Sequence, residues 1–154
     1  MTDFQCRDLA RSDICALERV LEETGLFTPS LLRPMSADFI AGVGDDLWLT
    51  LLISGDVAGL ACLAPEQMAD NVWNLRAIAV SPGFQGRGGG RALIAEADKR
   101  LRERGGRLLI VDTSSLPAFE HARAFYPALG FREEARIRDF WAEGDDKVTF
   151  AKAL

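Results

Sequence analysis

Along this chain the apolar positions switch between two spacings, and each switch marks an element. Phe4 to Leu9 reads as a first strand. Ile14, Leu17, Val20 and Leu21 then recur on one helical face behind Ser12, a predicted N-cap, and Gly25 supplies the stop. A second helix is predicted from about Pro29 to Ile40, with Pro34 kinking or dividing it. Leu47 to Ile53 and Val57 to Leu63 are apolar runs on either side of Ser54-Gly55-Asp56, the pattern of a hairpin. Trp73 to Val80 is a further strand, ended by Ser81-Pro82-Gly83.

The second half alternates helix and strand. From Arg91 to Arg104, Leu93, Ile94, Ala97 and Leu101 form a stripe, and Gly105-Gly106 closes the helix after a basic last turn. Leu108 to Val111 is a short, continuously apolar run, as expected of a buried strand. Pro117 suits a first helical turn, followed by the face Phe119, Ala122, Phe125, Tyr126 and Leu129, with Gly130 as the stop. Late strands near Phe131 to Trp141 and Lys147 to Ala153 flank the turn Gly144-Asp145-Asp146. This order predicts an α/β (α+β) fold: a central mixed, mostly antiparallel sheet of six to seven strands, flanked by about four helices. It is not the order of a doubly wound dinucleotide fold.

Composition narrows the reading. A length of 154 residues with 48% hydrophobic content, and no repeat or linker, predicts that residues 1–154 form a single domain. No apolar run approaches the roughly 18 residues of a spanning helix, and Met1-Thr2-Asp3-Phe4-Gln5 lacks the pattern of a signal peptide. The expectation is a cytoplasmic protein with no membrane association. Cys6, Cys15 and Cys62 show no CxxC spacing and His121 is the one histidine, so neither a disulfide framework nor a metal site is expected. A net charge of −5 argues against a nucleic-acid partner and suits a cationic acceptor.

The chemistry concentrates in Gln85-Gly86-Arg87-Gly88-Gly89-Gly90-Arg91, between a strand and the best helix of the chain. Four glycines there bring main-chain N–H groups close to an anion, at a helix end whose dipole favours negative charge. Arg87 and Arg91 add charge-assisted donors for phosphate oxygens. No Lys-Ser/Thr pair follows, so this is no Walker A loop, and the glycines miss the G-x-G-x-x-G spacing.

Ile78-Ala79-Val80 through Gln85, Gly88, Gly90 and Leu93 resembles the acetyl-CoA signature of the GNAT superfamily, whose core pattern is Gln/Arg-x-x-Gly-x-Gly/Ala. Ala124-Phe125-Tyr126 with Gly130-Phe131 resembles the second motif of that superfamily. The resemblance is strong from about Trp73 to Phe131. It implies an acetyl-CoA-dependent N-acetyltransferase acting on a primary amine of a small molecule or peptide. It implies that the main chain of Ile78, Ala79 and Val80 pairs with pantetheine as an added strand, and that N–H groups from Gln85 to Arg91 hold the diphosphate. The resemblance also implies that Ser114 and Ser115, just beyond the predicted Leu108–Val111 strand, contact the pantetheine arm. Exposed late strands often pair between subunits in that superfamily, so a homodimer is an open expectation.

Acyl transfer to an amine needs a neutral amine, a stabilised oxyanion and a proton for the departing thiolate. A phenol with pKa near 10 is a reasonable donor to a thiolate whose parent thiol has pKa roughly 8.5. Tyr126 is the sole tyrosine, and the resemblance makes it the general acid. Pro127 follows it directly, removing a helical N–H and disfavouring helical geometry at Tyr126. Many superfamily members carry a Glu on the strand before the loop; Trp73-Asn74-Leu75-Arg76-Ala77 has no carboxylate. Asp112 is the leading substitute as base, with Asp139 as an alternative. Phe27, Phe39, Trp48, Trp73, Phe140 and Trp141, with Asp45, Asp46, Asp70 and Asp139, are candidate acceptor surface. A non-catalytic acyl-CoA sensor and an O-acyltransferase are the competing readings.

Overall fold

The structure, a computed structural model, describes residues 2–154; Met1, the first residue of the start read above, lies outside them. Seven strands alternate with four α-helices: β1 (Phe4–Asp8), α1 (Ile14–Thr24), α2 (Leu32–Ile40), β2 (Leu47–Ile53), β3 (Asp56–Pro65), β4 (Val72–Val80), α3 (Gly89–Glu103), β5 (Leu108–Ser114), α4 (Glu120–Ala128), β6 (Arg132–Ala142) and β7 (Asp145–Ala153). The strands hydrogen-bond in the order β1-β2-β3-β4-β5-β7-β6. β4 runs parallel to β5, while β1–β2, β2–β3, β5–β7 and β6–β7 are antiparallel. This is the expected mixed sheet.

The chain forms two compact units. One takes in the chain up to Pro65 together with Arg76–Arg100; the other is Glu66–Leu75 with Leu101–Leu154. In the first, Leu9, Ile14, Leu17, Leu21, Leu32, Trp48, Leu60, Cys62 and Ala77 form a buried cluster, with Phe27 and Phe39 packed against it. The apolar stripe of α1 is therefore its core face. Gly25 ends α1 in the left-handed conformation (φ 67°), its N–H bonded to the Leu21 carbonyl.

The expected N-cap at Ser12 is replaced. Arg11–Asp13 form a 3-10 turn before α1, and Asp13, buried, organises it. Its carboxylate accepts Arg7 Nη1 and Nη2 at 2.6 and 2.9 Å, the Ala10 N–H at 2.9 Å and the Thr50 hydroxyl at 3.0 Å. Burial alone would raise the Asp13 pKa; the bonds from Arg7, Ala10 and Thr50 outweigh it and leave the pKa lowered. Pro34 does not divide the second helix. A 3-10 turn over Pro29–Leu31 leads in, so Pro34 falls in the first turn of α2, where no intrahelical N–H bond is lost.

In the second unit α4 packs through Tyr126 on Phe131 and Phe150, with ring centroids 5.4 and 5.7 Å apart. Phe119, read as part of that face, is exposed instead because Pro117–Phe119 form a 3-10 turn before α4 begins. Pro127 lies inside α4 in its last turn, where it removes one helix N–H bond without ending the helix, and Tyr126 keeps its helical place. Leu129 and Phe131 both donate N–H to the Tyr126 carbonyl. β5 continues to Ser114, three residues beyond the predicted end, so Asp112 and Ser114 are strand residues. The apolar count stopped the strand early because Asp112 and Ser114 find polar side-chain partners, Thr149 and Asp145, rather than apolar ones.

Candidate active site

In the first unit the residues after β4 build a turn and a helix mouth. The Ser81 N–H bonds the Ala58 carbonyl at 2.7 Å, and its hydroxyl donates to Glu23 Oε2 at 2.5 Å, tying the end of β4 to β3 and α1. Pro82–Phe84 form one 3-10 turn. Gln85 then extends, and its Nε2 donates to the Val80 carbonyl at 2.9 Å. The Gln85 side chain thus braces the loop.

Gly86 and Gly88 have φ of 77° and 93°, a region where a Cβ is strained. Among the described residues, Gly86, Arg87 and Gly88 donate no main-chain hydrogen bond, and all three are exposed. α3 begins at Gly89, two residues earlier than its apolar stripe indicated. A Cβ on Gly89 would stand 2.8 Å from Leu51 Cδ2, so this glycine lets the helix mouth sit against β2. The N–H groups of Gly89, Gly90 and Arg91 open the helix, where no carbonyl of the same helix can reach them. Arg87 lies over the Phe84 ring at 5.5 Å, and Arg91 is exposed. The result is a run of N–H groups without a main-chain partner at a positive dipole end with two guanidinium groups nearby in sequence, which suits a diphosphate.

In the second unit Tyr126 is 5% exposed, and burial pushes its phenol up to about 12. It stays protonated throughout the neutral range and can only donate there. Asp112 is half-buried; Oδ1 accepts the Thr149 hydroxyl at 2.6 Å and Oδ2 lies 3.8 Å from Lys147 Nζ. Lys147 in turn stands 4.3 Å over the Phe140 ring. Ser114 donates its hydroxyl to Asp145 Oδ1 and accepts the Leu116 N–H at 3.0 Å. Ser115 Oγ accepts the Asp146 N–H at 2.8 Å, which leaves its own proton for another acceptor. Asp139 turns in the left-handed region and accepts the Gly144 N–H at 2.9 Å, so it shapes the β6–β7 hairpin. Of the aromatic surface, Trp48 and Trp73 are core residues, whereas Phe140 and Trp141 are each 48% exposed.

Two polar pairs were missed. Glu23–Ser81 joins residues 58 apart, and Glu66–Asn74 joins residues on the two sides of a turn. Neither has a spacing that sequence periodicity can register, because strand and helix contacts between elements follow packing rather than chain distance.

The comparisons agree with this geometry. The family model described as Acetyltransferase (GNAT) family matches residues 16–131. A protein of Desulfovibrio desulfuricans assigned to the GNAT family superposes with a TM-score of 0.86 at 32% identity, covering 99% of each chain. The ribosomal-protein-S18-alanine N-acetyltransferase of Escherichia coli gives 0.77 at 23% identity, over 99% of this chain and 94% of its own. An N-acetyltransferase of Thermoplasma acidophilum in complex with coenzyme A gives 0.74 at 19% identity, over 99% of both. A comparison with curated protein sequences gives no match. Among the described residues, no helix is long and apolar enough to cross a membrane. With a family model spanning both motifs and the glycine-built helix mouth in place, the chain belongs to the GNAT family of acetyltransferases.

Proposed function

We propose that the whole chain acts as one cytoplasmic domain that moves an acetyl group from acetyl-CoA to a primary amine of a small molecule or peptide. The observation that carries this reading is the run of N–H groups without a main-chain partner at Gly86 to Gly88, with positive φ at Gly86 and Gly88, leading into the first turn of α3. These amides, with Arg87 and Arg91, hold the diphosphate; the main chain of Ile78, Ala79 and Val80 takes the pantetheine arm. Gln85 acts by bracing the loop. Ser115 retains a proton to donate to pantetheine, whereas Ser114 already gives its own to Asp145.

The reading takes direct attack by the amine, and the two more buried thiols are poor nucleophiles. Burial raises the Cys6 thiol to about 11 and the Cys62 thiol to about 12, so neither supplies a thiolate near neutral pH. Tyr126, held protonated by its apolar surroundings, gives the thiolate its proton. Asp112 remains a candidate base, although its charge is already matched by Lys147.

The test is to mix the protein with acetyl-CoA and a panel of primary amines and to follow free thiol. Amine-dependent thiol release is the expected result. Tight binding of acetyl-CoA with no release across the panel would instead identify a sensor, and release driven by alcohols an O-acyltransferase.

A further inference from the structure

Ser81 is the pivot between β4 and the Gly-rich loop. Its N–H bonds the Ala58 carbonyl of β3 at 2.7 Å, and its carbonyl accepts the Phe84 N–H at 2.8 Å. The first bond ties Ser81 to the sheet, and the second closes the 3-10 turn over Pro82–Phe84. Ser81 stands at the N-cap of that turn, where a serine hydroxyl ordinarily accepts an N–H of its own turn. Here it makes no such bond. The hydroxyl, on a residue only 7% exposed, goes instead to Glu23 Oε2 at 2.5 Å, 58 positions earlier in the chain.

α1 delivers that carboxylate from a braced end. Leu17, Val20 and Leu21 are buried, which fixes the rotation of the helix about its axis. Thr24 Oγ1 donates to the Val20 carbonyl at 2.8 Å, and the Gly25 N–H closes the last turn onto the Leu21 carbonyl. Glu23 sits in that turn, and the residue is exposed. α1 and β3 share one buried cluster, Leu17 and Leu21 with Leu60 and Cys62, so α1 lies in the layer packed on the sheet. A strand end held only within the sheet can still tilt toward or away from that layer. The Glu23 bond removes this freedom. Gln85, which bonds the Val80 carbonyl at 2.9 Å, belongs to the loop itself and cannot replace an outside anchor.

From Ser81 one 3-10 turn leads to Gln85 and then to Gly86, Arg87 and Gly88, which among the described residues donate no main-chain hydrogen bond. A tilt at Ser81 therefore displaces those N–H groups. We propose that Glu23 is a positioning residue for coenzyme A: by holding the Ser81 hydroxyl it sets the direction in which the Gly-rich loop leaves β4, and so places the N–H groups that take the diphosphate. The inference rests on the acetyl-CoA reading above and gives Glu23 no contact with the reacting atoms.

The experiment measures coenzyme A and acetyl-pantetheine binding by calorimetry to wild type, Glu23→Ala, Glu23→Gln, Ser81→Ala and the double variant Glu23→Ala/Ser81→Ala. Glu23→Ala should weaken coenzyme A about tenfold, because the loop loses a hydrogen bond to a carboxylate. Acetyl-pantetheine, which has no diphosphate, should bind as in wild type. Ser81→Ala keeps both main-chain bonds and should match Glu23→Ala; the double variant should be no weaker than either, since all three remove one bond. Glu23→Gln, whose amide oxygen accepts the same hydroxyl, should recover most of the loss. In turnover the effect should fall on KM for acetyl-CoA and not on kcat. A lower melting temperature with wild-type coenzyme A affinity would make the bond structural only and overturn the proposal. Additive losses in the double variant, or an equal loss for acetyl-pantetheine, would overturn it as well, with the function untouched. If wild type binds no coenzyme A, the acetyl-CoA reading fails and the inference falls with it.

Discussion

Gly88 offers a direct test of the diphosphate site. Its φ of 93° suits glycine, and a Cβ there would meet nothing nearer than the Phe4 ring at 3.6 Å. A side chain therefore fits, at the cost of backbone strain of about 1–2 kcal/mol. Gly88→Asn and Gly88→Asp have nearly the same shape and the same strain, and Asn and Asp are the residues that best tolerate this region. They differ by one negative charge. At about 5 Å from an anion, a unit charge is worth ~0.8 kcal/mol in bulk water and ~3 kcal/mol at an effective dielectric near 20. The Asp variant should therefore bind coenzyme A about 4- to 150-fold more weakly than the Asn variant. Calorimetry at low salt measures this, and the gap should narrow as added salt shortens the screening length. Acetyl-pantetheine, which has no diphosphate, should bind the two variants alike. Equal coenzyme A affinities for Asn and Asp at low salt would mean that no anion sits at the mouth of α3.

Three further outcomes are expected. Tyr126→Phe should reduce turnover by about 10²- to 10⁴-fold with coenzyme A affinity unchanged in calorimetry; because burial raises the phenol to about 12, the wild-type tyrosine should add stability that is intact below pH ~10 and fades as pH climbs toward 12. Asp13→Ala should cost about 2–4 kcal/mol in chemical denaturation, less than the ~3–5 of a fully buried pair because the Arg7 side chain is 35% exposed. Since the Asp13 pKa is lowered on folding, wild-type stability from this group should be full above pH ~4 and decline as pH falls further, a decline that Asp13→Ala lacks. Gly59→Ala would drive a Cβ into the Ala79 carbonyl, backbone against backbone, and should destabilise the first unit by about 3 kcal/mol, read as a lower denaturant midpoint at an unchanged slope.

What the chain determined by itself is what depends on neighbours in sequence. Period and punctuation gave the helix of α1 with its Gly25 stop, the β2–β3 hairpin around Ser54-Gly55, and the strand–glycine–helix order that marks the donor site. These features are local: a helical stripe, a left-handed stop and a tight turn are written within a few residues of where they act. Tertiary structure decided which polar groups meet. It turned Ser12 from a cap into part of a 3-10 turn because Asp13 found Arg7 and Thr50, 37 residues away. It drew Gly89 into α3 because β2 packs where a Cβ would stand. It paired Asp112 with Lys147 and brought Glu66 to Asn74. A buried polar group must find a partner, and a folded sheet offers it partners that no window along the chain contains.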